Sequence, residues 1–218
     1  MDRLGANQSA WFGASFLIAQ VSGPSDFGRP DRAALERSLS WTALLVEAAP
    51  DDGGWWRNLG LFHRDLGTTL EWSGDEERGR EHYEDAYRSY QKAVELLPGE
   101  PRAINDCALM LVYHLDRDED LALAMFDKAI EIGTGMLADG AGDADPDLAV
   151  AVGDAWQNIG FVHAKHGRWE KAAAANRTAL EVESDSRAWG LPTTPEAVEE
   201  AAKTPWAGGP PPTTEESP

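Results

Sequence analysis

The chain has 218 residues, 42% hydrophobic and 26% charged, and its 38 acidic against 19 basic side chains give a formal net charge of −19. That apolar share, with nine tryptophans, excludes a disordered chain and implies a buried core, while the negative field argues against nucleic acid or anionic membrane as partner because it repels phosphate. The single cysteine, Cys107, rules out an intramolecular disulfide and makes a reducing compartment, the cytoplasm, the expected home, and no apolar run is long enough for a bilayer span.

Residues 1–30 contain an expected short helix from about Gln8 to Val21, followed by breaks at Ser22-Gly23-Pro24-Ser25 and Gly28-Arg29-Pro30. Asp31 opens a helix in which Leu35, Leu39, Ala43 and Val46 recur at helical spacing and which ends before Pro50. A long helix pair is expected from about Gly53 to Leu97, broken by Ser73-Gly74-Asp75, and a second from about Ala103 to Ile132. A gap follows at Gly133 to Gly142. Asp145-Pro146-Asp147 then reads as a helix start, with proline at the first helical position and acids facing the helix dipole, and the third pair closes near Ser184. Pro195 to Lys203 is expected to form a terminal helical turn or two, and the Pro- and Gly-rich stretch from Thr204 onward to be disordered. The chain thus divides into an N-terminal segment (1–30), a helical domain (31–190) and a short helix with a Pro-rich tail (191–218).

Three windows repeat. From Trp56 the chain reads Trp-Arg-Asn-Leu-Gly-Leu-Phe-His, from Asp106 Asp-Cys-Ala-Leu-Met-Leu-Val-Tyr, and from Trp156 Trp-Gln-Asn-Ile-Gly-Phe-Val-His. Each is followed by a second helix carrying spaced small and aromatic residues: Ala86, Tyr90, Ala93 and Pro98; then Ala122, Phe126 and Ala129; then Ala172 and Ala179, with Asn176 in place of the aromatic. A small residue at Gly60 or Gly160 lets the second helix approach, and an aromatic fills the space beside it. This pattern resembles the tetratricopeptide repeat, a helix-turn-helix unit of about 34 residues. The first copy is roughly fourteen residues longer than that spacing, so its helices are extended.

The resemblance implies an all-α fold, a short right-handed solenoid of antiparallel helix pairs in which stacking supplies the core that one pair lacks. It also implies a non-enzymatic scaffold that binds on the concave face formed by the first helix of each pair. Carried over by spacing, that face comprises Arg57, Asn58 and Leu61, then Ile104, Ala108, Leu111 and Leu115, then Asp154, Gln157, Asn158, Phe161 and Lys165. Leu61, Ala108 and Asp154 stand where the members that clamp a C-terminal carboxylate need asparagine, asparagine and lysine, so such a clamp is not expected. The expected partner is another protein or a peptide, basic or an amphipathic helix, with a self-associating or obligate-complex subunit as the alternative; no cofactor and no metal are implied.

The helix from Ala103 to Leu115 is apolar on nearly every side, and such a helix is normally covered on every side. Either a partner helix lies on it or the N-terminal segment does, through Trp11, Phe12, Phe16, Leu17 and Ile18. Asp143, Asp145 and Asp147 have the opening spacing of a calcium loop but lack its glycine and its closing glutamate. His163 and His166 lie one turn apart, with His163 at a packing position and no third ligand near in sequence. Cys107 has apolar neighbours and reads as a structural thiol. Gly74 to Gly79 has the glycine spacing of a phosphate loop without its Lys-Ser/Thr end, and no hydrolase, zinc-protease or dinucleotide motif occurs, so an enzyme is not expected.

Overall fold

Helices joined by short turns make up the residues described by the structure, a computed structural model covering 32–143, 147–182 and 191–203. Eight α-helices are found among them and no strand: α1 (Arg32–Ala48), α2 (Gly53–Trp72), α3 (Glu76–Leu96), α4 (Pro101–Leu109), α5 (Glu119–Ala138), α6 (Asp147–Lys165), α7 (Trp169–Val182) and α8 (Pro195–Lys203). The expected all-α class and the coarse element order hold. The expected helix at Gln8–Val21, the residues Asp145 and Pro146, and the tail from Thr204 lie outside the described residues. The chain divides between Pro98 and Gly99 into two compact units.

In the first unit, Asp52 caps α2 through its carboxylate, which accepts hydrogen bonds from the Gly54 (2.9 Å) and Trp55 (3.4 Å) amides. Gly74, at φ +84°, turns the chain between α2 and α3. These two helices are antiparallel and close: Gly60 lies against the Tyr90 ring, and Gly67 against Tyr83 and the Gly79 carbonyl. Tyr90 is fully buried as a result. α1 lies on α2, with Leu35 packed against Phe62, Leu66 and Leu70, and Val46 against Trp55 and Leu59.

In the second unit, Glu100 caps α4 and Pro101 occupies its first turn. The helix runs on into a π-helical turn, Met110–His114, closed by the Leu115 amide donating to the Met110 carbonyl at 3.0 Å. α4 packs against α5 and α6, α6 against α5 and α7, and α8 against α6 and α7. Ala172, Ala173 and Val198 form a buried cluster with Ala164 and Trp169.

The gap expected from Gly133 is a correction: α5 continues to Ala138. Glycine there serves contact, not chain reversal. A Cβ on Gly133 would sit 2.4 Å from Val152 Cγ2, so its absence lets α6 approach, which offsets the cost of about 1 kcal/mol that glycine carries inside a helix. The second pair therefore spans Pro101 to Ala138.

Candidate functional site

A groove of about 680 Å³ opens in the second unit, within the range of roughly 300–1,000 Å³ typical of ligand pockets. Its apolar wall is Tyr113, Phe161, Trp169, Leu191 and Val198, and its polar groups are Gln157, Asn176, Lys165 and Lys203. Each is placed by a local feature. The π turn carries Tyr113, whose ring stacks on Phe161 of α6 with centroids 4.1 Å apart and planes at 16°. π turns inside helices occur often at functional sites. Asn176 of α7 donates from Nδ2 to the Pro192 carbonyl at 2.7 Å, and Arg177 donates to the Thr193 carbonyl at 2.6 Å. These bonds tie the segment before α8 to α7 and make it the far wall.

Comparison of the two helix hairpins gives a reason for the opening. Where α3 sets the Tyr90 ring over Gly60, α7 sets the smaller Asn176 over Gly160. A ring is missing at the second position, and space is left beside it. Gly160 is still closely covered, since a Cβ there would meet Asn176 Oδ1 at 2.4 Å.

The two lysines are already engaged on their outer side. Lys165 pairs with Asp116 and, at 3.6 Å, with Glu119, and its pKa is raised, chiefly by the hydrogen bond to Asp116. Lys203 pairs with Glu200 at 3.0 Å and Glu199 at 3.9 Å, and its pKa is raised by the Glu200 hydrogen bond. Exposed pairs of this kind add little to stability, because water screens them. The apolar wall is therefore the larger source of affinity that the groove offers, and the lysines can add orientation.

Of the residues expected on a concave face, Gln157, Phe161 and Lys165 line this groove. Ile104, Ala108, Leu111 and Leu115 are a correction: all four are buried in the core and present no surface to a partner. One stripe of their helix, Arg102, Asp106, Leu109 and Tyr113, stays half-buried, while the apolar residues on its other sides are covered. Asp154 and Asn158 are engaged internally, Asp154 with the Arg102 guanidinium and Asn158 through Nδ2, which donates to Asn105 Oδ1 at 2.9 Å, so both fasten α6 to α4. Arg57, Asn58 and Leu61 lie on α2 in the first unit, with Asn58 buried and the other two half-buried.

Sequence reasoning missed Trp169, Asn176, Leu191, Val198 and Lys203 as groove residues. The departure of Asn176 from the repeat pattern was the available signal. The expected terminal turn at Pro195–Lys203 was placed as structure, yet nothing in its spacing tied it to α7. Cys107 is buried, and burial pushes its thiol up to about 12, in keeping with a structural thiol. His166 meets Glu119 instead of joining His163 in a ligand set. No family model matches the chain, and a search of curated proteins gives no match either. No helix among the described residues is long and apolar enough to cross a membrane.

Proposed function

We propose that this chain is a non-enzymatic protein-interaction module of tetratricopeptide-like helix pairs, working in the cytoplasm, whose groove between α6, α7 and α8 receives apolar side chains of a partner peptide or amphipathic helix. The observation that carries the reading is the groove itself: a stacked Tyr113–Phe161 pair, Trp169 and Val198 on a rigid helical frame, with amides and lysines at its edge. Apolar anchors seated in such a wall are how a helix docks into a groove. The repeat pattern at Trp56, Asp106 and Trp156 adds support.

Ala202 is exposed on α8 and lines the groove, so Ala202→Trp fills it without touching the core. Affinity capture from native extract is expected to retain a partner with the wild type and with a control at the exposed Leu121, Leu121→Ser, and to lose it with Ala202→Trp. The purified partner should then bind the wild type at least about tenfold more tightly than the filled variant, a difference of about 1.4 kcal/mol. Identical capture by all three proteins would remove the groove from the reading.

A second reading, self-association, is favoured by Trp41 and Leu44, which lie one turn apart on α1 and are 40% and 57% exposed. Light scattering that finds only monomer across the accessible concentrations would count against it.

A further inference from the structure

His63 on α2 and His82 on α3 face each other with Nδ1···Nδ1 at 2.9 Å and ring centroids 5.1 Å apart. Asp85 lies three residues, about one turn, beyond His82 on the same helix. One ligand atom from each of these three side chains lies within 4.8 Å of the other two, and all three are half-buried. Among the described residues no other group of three or more His, Cys, Asp or Glu side chains converges in this way.

We propose that His63, His82 and Asp85 form a binding site for a divalent transition-metal ion of the zinc class. Two imidazoles and one carboxylate are a donor set that suits zinc and its first-row neighbours, whereas magnesium and calcium take sets of oxygens. Three protein ligands leave a fourth position for water or an incoming group.

The geometry is near what the ion requires. Zinc–nitrogen bonds of about 2.0–2.1 Å at a tetrahedral angle put two nitrogens about 3.4 Å apart, so the imidazoles need to open by about 0.5 Å. Without an ion, the 2.9 Å separation fits one Nδ1–H donating to the other Nδ1. Binding requires that ring to move its proton to Nε2, after which both Nδ1 lone pairs face the ion. Asp85 also carries the Arg88 guanidinium on one carboxylate oxygen, an outer partner of the kind that orients a ligating carboxylate.

The scaffold holds the two helices rigidly. Contacts at Gly60–Tyr90 and Gly67–Gly79 fix the spacing on either side, and Tyr83 donates to Glu71 at 2.6 Å across the same helix pair. An ion at this place would fasten α2 to α3. No spacing motif marks the site in the sequence, because its ligands come from the two arms of a hairpin.

The test uses the tag-free full chain, freed of metal with a chelator and titrated with Co²⁺ and then Zn²⁺. One Co²⁺ per chain is expected, with visible d–d absorption that Zn²⁺ displaces. His82→Gln should weaken Zn²⁺ binding by more than the roughly 10- to 100-fold that loss of an outer partner costs, Asp85→Asn should weaken it in the same direction, and His166→Ala should leave it unchanged. If His82→Gln does not fold, ring-nitrogen NMR of the wild type decides: one equivalent of Zn²⁺ should shift Nδ1 of both His63 and His82. Absence of stoichiometric binding, affinity indifferent to Asp85→Asn with unmoved His63 and His82 nitrogens, or loss of binding in His166→Ala would each overturn the proposal.

Discussion

Single residues set the tightest constraints in this chain, and Gly67 is the clearest of them. A Cβ at Gly67 would lie 2.7 Å from Tyr83 Cε1 and 2.9 Å from the Gly79 carbonyl oxygen. The tyrosine ring can swing, but the carbonyl belongs to the facing helix and cannot retreat alone. Gly67→Ala therefore sets a helix-propensity gain of about 1 kcal/mol against an overpacking cost of about 1–3 kcal/mol, and with backbone in the way the cost wins. A net loss of up to about 2 kcal/mol is expected, read as a lower urea midpoint with unchanged slope; a raised midpoint would show that α3 moves away freely. Cys107 makes a different prediction. It is 1% exposed and its thiol is pushed up to about 12 by burial, with Asp106 adding in the same direction. The folded chain should resist alkylation at mildly alkaline pH and react fully in denaturant. The sign for stability follows: the unfolded thiol ionises near its ordinary value of about 8.5 while the folded one stays neutral, so this contribution is present below that pH and is lost as pH rises toward about 12. Prompt reaction of the native chain would place Cys107 outside the core.

At the level of elements, the groove depends on one exchange, Asn176 where the first hairpin has Tyr90. Asn176→Phe should fill the space beside Gly160 and break the hydrogen bond to the Pro192 carbonyl, which frees the segment ahead of α8. The expected outcome is at least tenfold weaker partner binding together with faster amide exchange in Pro195–Lys203, measured by hydrogen exchange with mass spectrometry. Binding that survives with exchange unchanged would detach the groove from this position. The same contrast separates what the sequence makes legible from what it does not. Leu35, Phe126 and Ala129 are buried where their periodicity places them, because an apolar stripe at helical spacing has one physical outcome. Gly133 misled because glycine breaks a helix by freeing the backbone and favours one by removing a side chain, and only the approach of Val152 decides between them. Leu111 and Ile104 misled differently. Spacing assigns a residue to a face of its helix, but whether that face meets solvent depends on elements distant in the chain. His63 and His82 were invisible as a pair for the same reason, since they stand 19 positions apart on either side of a turn.

Charge acts on the whole molecule. The ion pairs among the described residues are mostly at the surface, like Arg32–Glu36 at 2.9 Å or Lys92–Glu95 at 2.9 Å, and contribute about 0–1 kcal/mol each. Against them stands a net charge of −19 spread over 218 residues, whose self-repulsion opposes the compact state. Salt weakens both. It screens the long-range repulsion first, because raising ionic strength from about 0.01 M to 0.15 M shortens the Debye length from about 30 Å to about 8 Å, while groups 3 Å apart still attract. The melting temperature should therefore rise over that range when sodium chloride is added to the metal-free chain. A basic partner should show the opposite dependence in its kinetics: the acidic field speeds its arrival, so the association rate should fall with salt while dissociation from the apolar wall of Tyr113, Phe161 and Trp169 changes little. A melting temperature that falls with salt would mean that local pairs such as Lys165–Glu119 outweigh the net field. Dissociation that accelerates with salt would assign the binding energy to Lys165 and Lys203 instead of to the aromatic wall.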